Sequence, residues 1–247
     1  MNPIEELFYT LRLRGEGHFD EAIAVYRRRL EENPHDLTIR AHLASTLFLK
    51  GDTAAAVEEY RRVLVAKPDS QFGRADLVRM LLAQREFHLA LAEAKELVRR
   101  HPGTHSSHTS LGDAYYSLGD IRAAIRCYEH AASLPAPHVD VLVSLGGLYE
   151  EDGRVEDAIN AYRRAVTKTP RYLMALVALG RALAAAGKVT EAREHWQKAI
   201  DLAKSRLNPS KPSRSFDKII PGFDKKYPSP GKIIAIASEY LEKNGSK

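Results

Sequence analysis

The chain has 247 residues, 44% hydrophobic and 28% charged, which is typical of a folded, soluble protein and argues against a disordered one. Its net charge of +5 is uneven, because residues 207–247 carry eight Lys or Arg against four Asp or Glu and leave the rest near neutral. No apolar run is long enough for a membrane helix or a secretory signal, and the one cysteine, Cys127, cannot form an internal disulfide. We therefore expect a cytoplasmic location.

Small residues recur along the chain with a fixed period of 34 residues and no insertion. Alanine is the best helix former, and its small side chain lets two helices approach closely. The period therefore predicts helix pairs that nest side by side. The repeated alanines are Ala22, Ala56, Ala90, Ala124, Ala158 and Ala192.

Three further columns keep the same register around each alanine. A glycine five residues before the alanine ends the first helix, an aromatic residue four after it fills the space between helices, and a proline stops the second helix. The glycines are Gly17, Gly51, Gly119, Gly153 and Gly187; the aromatics are Tyr26, Tyr60, Tyr128, Tyr162 and Trp196; the prolines are Pro34, Pro68, Pro102 and Pro170. The departures are Arg85, Ala94, Ala136 and Lys204.

This pattern resembles the tetratricopeptide repeat, with its Leu-Gly pair, aromatic residue, glycine turn, alanine, second aromatic and proline. Leu145-Gly146, Tyr149, Gly153, Ala158 and Tyr162 form one of the best copies. The resemblance implies an all-α solenoid, a right-handed superhelix of helix-turn-helix repeats with a concave face. It places six repeats at 3–36, 37–70, 71–104, 105–138, 139–172 and 173–206.

The third and fourth repeats depart from the pattern. Repeat 3 has Arg85 for glycine and Ala94 for the aromatic, so its helix pair is expected to pack less fully. Repeat 4 shifts its proline by one position near Ala136. These changes are either neutral drift or a softer joint between residues 85 and 137 that lets the superhelix flex.

The C-terminal part is predicted to be a linker and a terminal helix. Residues 207–230 are rich in Pro, Ser and Lys, and residues 231–244 carry an apolar stripe between helix start and stop signals. Such a short helix needs a surface to cover its stripe. The favoured surface is the open end of repeat 6; the alternatives are the concave groove of its own or a neighbouring chain, or a membrane or partner.

The family resemblance also implies where a partner binds, because the first helix of each repeat lines the groove in that family. Aromatic and apolar side chains there, interleaved with charges of both signs, suit an extended peptide or an amphipathic helix. The residues predicted to bind a partner are Phe48, Phe72, Arg79, Leu82, Asp113, Tyr116, Glu150 and Arg181. Some of them, Phe48 and Phe72 above all, are alternatively space-filling residues between helices.

Catalysis is not expected. The sequence has no Gly-rich phosphate loop, nucleophile elbow or zinc-protease motif, and it implies no cofactor and no small-molecule substrate. His101, His105 and His108 cluster at one junction, but exposed turn histidines explain them better than a metal site does. The leading hypothesis is a protein-interaction scaffold. The alternatives are head-to-tail self-assembly through the terminal helix, and binding of nucleic acid or another anionic surface through the basic tail.

Overall fold

The computed structural model describes residues 3–207 and 230–243, which form thirteen α-helices and, within those ranges, no β-strand. The predicted all-α class is confirmed. The helices are α1 (Pro3–Glu16), α2 (Phe19–Glu32), α3 (Leu37–Lys50), α4 (Thr53–Ala66), α5 (Gln71–Ala83), α6 (Phe87–Arg100), α7 (His105–Ser117), α8 (Ile121–Ser133), α9 (Val139–Glu151), α10 (Val155–Lys168), α11 (Leu173–Ala185), α12 (Val189–Leu207) and α13 (Pro230–Lys243).

The described helices divide into two compact units. Unit 1 contains α1 to α7 and ends at Leu118; unit 2 begins at Gly119 and contains α8 to α13. Within each unit, helices that are consecutive in the chain pack against each other. Most of the predicted linker, residues 208–229, and the last residues, 244–247, lie outside the described residues.

The turns inside the repeats use the left-handed backbone region. The five glycines of the turn column have φ between 76° and 101°, and Arg85 adopts the same conformation with φ of 64°. A side chain disfavours this region, which is why glycine is usual there. The turn geometry of the third repeat is therefore preserved despite the substitution.

The proline column sets where the second helices end. The residue before each of these prolines leaves the helical conformation, as Lys67 shows with φ of −137° and ψ of 80°, because a following proline disfavours that conformation. Helix α12 has Lys204 at the proline position, and it runs on to Leu207. The missing stop signal explains why α12 is the longest described helix.

The core follows the alanine column, all six members of which are fully buried. In unit 2, two glycines of the first helices lie directly against aromatic rings of the second helices. A Cβ on Gly146 would come within 2.4 Å of the Tyr162 ring, and one on Gly180 within 2.3 Å of Trp196. These glycines permit the close approach on which this packing depends.

Candidate functional site

The eight predicted binding residues fall into two groups. Glu150 and Arg181 are in unit 2, and the other six belong to unit 1 on α3, α5 and α7. We call the surface formed by Phe48, Phe72, Arg79, Leu82, Asp113 and Tyr116 the first-helix face of unit 1.

Exposed apolar side chains mark this face. Phe72, at the start of α5, is 79% exposed, and Tyr116, near the end of α7, is 46% exposed. Burying an aromatic ring is strongly favourable, so an exposed Phe on the surface of a stable repeat is available for a partner. Asp113 is also exposed and precedes Tyr116 by three residues, so the two share one side of α7.

Phe48 and Leu82 are only partly exposed, and they pack on the core of unit 1. They hold the same position of the 34-residue period as Tyr116. The Phe48 ring also supports Arg79, whose guanidinium carbon lies 5.3 Å from the ring centroid. Phe48 thus fills space against the core and also contacts Arg79, while its role in binding a partner stays a prediction.

Arg79 is held by a small network beneath the face. Its Nη2 donates to Asp76 Oδ1 at 2.6 Å, and Asp76 Oδ2 accepts a hydrogen bond of 2.8 Å from the buried Tyr60 hydroxyl. Burial, reinforced by the Asp76 charge, raises the pKa of Tyr60. The hydroxyl therefore keeps its proton and acts as a permanent donor.

Unit 2 has an equivalent network at Glu150 and Arg181. Arg181 Nη2 donates to Glu150 Oε2 at 2.5 Å, and the Tyr162 hydroxyl donates to the same oxygen at 2.6 Å. Burial, with Glu150 alongside, raises the pKa of Tyr162. The structure thus brings Glu150 and Arg181 together, although they lie 31 residues apart in sequence.

Two partly buried ion pairs in unit 1 were not anticipated from the sequence. Arg40 donates to Glu59 at 2.6 Å and to the Pro34 carbonyl at 2.7 Å. One period later, Arg74 pairs with Glu93 in the same way. The spacing of 34 residues in both members of the pair is the signal that could have revealed them.

The contact between this position of the period and a proline carbonyl recurs as well. Arg74 donates to the Pro68 carbonyl at 3.1 Å, and His108 Nε2 lies 2.6 Å from the Pro102 carbonyl. Each side chain thereby joins a first helix to the turn that precedes it. This contact gives His108 a structural role, and within the described residues no three His, Cys, Asp or Glu side chains converge as a metal site would require.

Cys127 offers no support for nucleophilic chemistry. Burial raises the pKa of its thiol, so the reactive thiolate is disfavoured. The side chain lies half-buried on α8.

The terminal helix α13 packs on α12 and contacts α11. Ala237 is fully buried, and the Tyr240 ring stacks on Trp196 at 5.0 Å and 11°. The His42 ring stacks on Tyr26 at 5.9 Å and 15° where α3 follows α2. Helix α13 thus covers Trp196 of α12 in the same way that the first helix α3 covers Tyr26 of the preceding second helix α2.

These features define a class of protein that is built from stacked helix pairs and exposes side chains of the first helix of each pair. Tetratricopeptide repeat models match residues 13–77, 76–131, 109–172 and 143–210, and the chain belongs to that family. No curated protein sequence matches significantly.

Several solved structures are similar to this chain in fold. TTC0263, a thermophilic tetratricopeptide repeat protein of Thermus thermophilus, is 25% identical with a TM-score of 0.61, over 72% of this chain and 97% of that one. MamA is 24% identical with a TM-score of 0.59, over 67% and 96%. YrrB, described as a tetratricopeptide repeat protein with an unusual peptide-binding site, is 16% identical with a TM-score of 0.52, over 74% and 94%.

The predicted fold and family are therefore confirmed, and the family is one of protein–protein interaction scaffolds that are generally not catalytic. None of the helices in the described ranges combines the length and the apolar character needed to cross a membrane.

Proposed function

We propose that this chain is a non-enzymatic scaffold that binds a segment of a partner protein on the first-helix face of unit 1. The observation that carries the proposal is the exposure of Phe72, which leaves a full aromatic ring in water on a well-packed helix. Aromatic anchors of this kind supply much of the energy of protein interfaces.

The neighbours of Phe72 support a role in binding. Tyr116 offers a second exposed ring in the same unit, and Arg79 is fixed between Asp76 and Phe48. Aromatic residues and arginine are enriched among residues that dominate binding energy. The face carries little net charge, because Arg79 is offset by Asp76 and the remaining charge is that of Asp113, so apolar contact and directed hydrogen bonds favour binding more than net charge does.

Helix α13 has a different role in this proposal. We propose that it caps the last helix pair, because it covers Trp196 with Tyr240 and buries Ala237. A docked α13 does not favour head-to-tail assembly. The anionic-surface hypothesis concerns a basic tail that is mostly outside the described residues.

The test is a selection of binders from a random peptide library displayed on phage, with the full chain as bait. Selected peptides are then measured by fluorescence polarisation against Phe72→Ala and Tyr116→Ala. We expect each substitution to weaken binding by about 30-fold, as removal of an interface anchor worth about 2 kcal/mol does.

The chain offers a matched control in Val65, which is 84% exposed on the second helix α4. Val65→Ala also removes exposed apolar area, but away from the first helices, and we expect it to leave binding unchanged. Peptides that lose affinity with Val65→Ala and not with Phe72→Ala would place the binding surface elsewhere.

A further inference from the structure

Five residues on three helices of unit 1 form one connected cluster. The Tyr60 hydroxyl lies 2.8 Å from Ser45 Oγ and donates to Asp76 Oδ2 at 2.8 Å. Asp76 Oδ1 accepts from Arg79, which also lies over the Phe48 ring. Tyr60 is 1% exposed, whereas the side chain of Arg79 is 57% exposed, so the cluster runs from the core to the surface.

The cluster fixes the orientation of a side chain that is ordinarily mobile. A free arginine loses about 2 kcal/mol of side-chain conformational entropy when it is immobilised. Here Asp76 holds one nitrogen and Phe48 supports the guanidinium plane, so much of that loss occurs on folding and does not oppose binding. Asp76 is in turn oriented by the Tyr60 hydroxyl.

A chain of tyrosine, acid and arginine recurs in unit 2. Tyr162 and Arg181 hold the same positions of the 34-residue period as Tyr60 and Arg79, three repeats further along. The acid differs, because Glu150 comes from another helix and from another position of the period than Asp76. Two different acids thus join a buried tyrosine to an arginine at the same two positions of the period, so the tyrosine and the arginine are the common elements.

The charge of each arginine is already offset, and this decides which acceptor it suits. A guanidinium has five N–H donors, and Asp76 engages one nitrogen of Arg79. A partner carboxylate would approach Asp76 as well as Arg79 and would gain little from electrostatic attraction. A neutral carbonyl oxygen uses the remaining donors without that repulsion.

A carbonyl acceptor also discriminates between two kinds of partner segment. In a helix, nearly all main-chain carbonyls are engaged within the helix, and only the last turn leaves any free. In an extended segment the carbonyls are available to the receptor, and alternate side chains point toward it. An extended segment can therefore place a side chain on Phe72 and a carbonyl on Arg79, which lie seven residues apart on α5, about 10 Å along the helix.

We propose that Arg79 donates to a main-chain carbonyl oxygen of an extended partner segment, with Tyr60 as the residue that positions it through Asp76. This inference rests on the proposed function, because it assumes that the partner lies on the first-helix face of unit 1. It selects an extended peptide over an amphipathic helix. It also gives the buried hydroxyl of Tyr60 a role in recognition.

The experiment uses the peptides selected from the library and scans their carbonyls one at a time with thioamide, a weaker acceptor of unchanged charge. We expect the thioamide at one peptide position to weaken binding to the wild-type chain about fivefold and to leave binding to Arg79→Gln unchanged. For each chain, the ratio of the affinities of the amide and thioamide peptides gives the thioamide effect. The difference between the effect on the wild type and the effect on Arg79→Gln, expressed as free energies, is the coupling of that carbonyl to Arg79. We expect Tyr60→Phe, which keeps the ring, to reduce the same coupling although Arg79 is intact.

Arg61 provides the matched control. It is 51% exposed and pairs with Glu58 three residues away, as Arg79 does with Asp76, but it lies on the second helix α4. Arg61→Gln is expected to leave the thioamide effect unchanged. If Tyr60→Phe fails to fold, Arg79→Gln still decides the question, because its side chain is on the surface.

Two results would overturn the inference and spare the proposed function. In the first, Phe72→Ala weakens binding but no thioamide position couples to Arg79. In the second, a peptide Asp or Glu couples to Arg79 and affinity falls steeply with salt, which identifies a carboxylate as the acceptor. If instead Phe72→Ala has no effect on binding, the proposed function itself is wrong.

Discussion

The two units use the same repeat period but join their helices by different means. Unit 1 places the ion pair of the buried Arg74 and the partly buried Glu93 between α5 and α6. Two periods later, unit 2 has the buried Leu142 and Ala161 at the same two positions. These two positions therefore lie inside the packing of the repeat, where either a satisfied ion pair or an apolar pair is compatible with the fold.

The exposed sides of the first helices differ in a related way. At one position of the period unit 1 has Arg14, Phe48, Leu82 and Tyr116, whereas unit 2 has Glu150 and Ala184. In unit 2, Glu150 accepts hydrogen bonds from Arg181 and Tyr162. The apolar anchors are thus in unit 1, which is why the binding proposal is centred on it.

The largest effect is expected from breaking the ion pair of unit 1. Glu93→Ala leaves Arg74, whose side chain is 11% exposed, with the Pro68 carbonyl as its remaining contact. A buried charge that loses its partner is costly, so we expect the free energy of unfolding to fall by about 3 kcal/mol. Urea denaturation followed by circular dichroism measures it.

The double variant Arg74→Leu, Glu93→Ala copies the residues of unit 2 into unit 1. Because apolar replacements of a buried ion pair are often neutral, we expect it to recover to within about 1 kcal/mol of the wild type. A double variant as unstable as Glu93→Ala alone would show that the two units are not interchangeable at these positions.

A smaller effect is expected where unit 2 packs rings on glycine. Gly146→Ala brings a Cβ against the Tyr162 ring at 2.4 Å, so ring and helix must separate, at a cost of about 2 kcal/mol in unfolding free energy. Gly147 is the neighbouring control, because its Cβ would lie 3.8 Å from the Tyr162 hydroxyl. Gly147→Ala is expected to be neutral or to stabilise by up to about 1 kcal/mol through helix propensity. Equal losses from the two substitutions would contradict this account of the close approach.

The third repeat shows what the sequence did and did not predict. Ala94 was expected to leave the helix pair less well packed, because it replaces the aromatic residue. Val78 holds the position that glycine has at Gly146 and Gly180, and both Val78 and Ala94 are buried in the core of unit 1. We infer that the larger Val78 fills the volume that Ala94 lacks, a compensation between two columns that is invisible when each is considered alone.

Periodic features were predictable, and contacts between distant residues were not. The alanine, glycine and proline columns specify helices and turns locally, which is why the fold and family were predicted correctly. The pairing of Glu150 with Arg181 depends on how two helices approach, and neither residue indicates it alone. Helix α13 was predicted as a helix, but the segment before it breaks the register of the 34-residue period. The sequence therefore did not indicate that Tyr240 would cover Trp196.

The contact between α13 and α12 contrasts with the other end of the described residues. Phe8 on α1 is 69% exposed, whereas Trp196, the only tryptophan, is covered by Tyr240. We expect Tyr240→Ala to shift the fluorescence of Trp196 to longer wavelength and to lower the stability of this contact by about 1 kcal/mol. Tyr116→Ala, in unit 1, is the control and should leave the emission unchanged. An unaltered spectrum in Tyr240→Ala would contradict the capping role of α13.

The smallest effect is a pH dependence at His42, which is half-buried against Tyr26 in unit 1. Burial, with the Arg14 charge added and Asp36 opposing, lowers the pKa of His42 from its usual 6.5. Above that value both folded and unfolded chains hold a neutral imidazole, so this residue adds no pH dependence. Below it the unfolded chain takes up a proton more readily than the folded one, so stability falls as the pH falls. Urea midpoints at neutral and mildly acidic pH should therefore differ less for His42→Gln than for the wild type, whereas exposed His88→Gln should keep the full difference. If His42→Gln keeps it as well, acid destabilisation arises elsewhere in the chain.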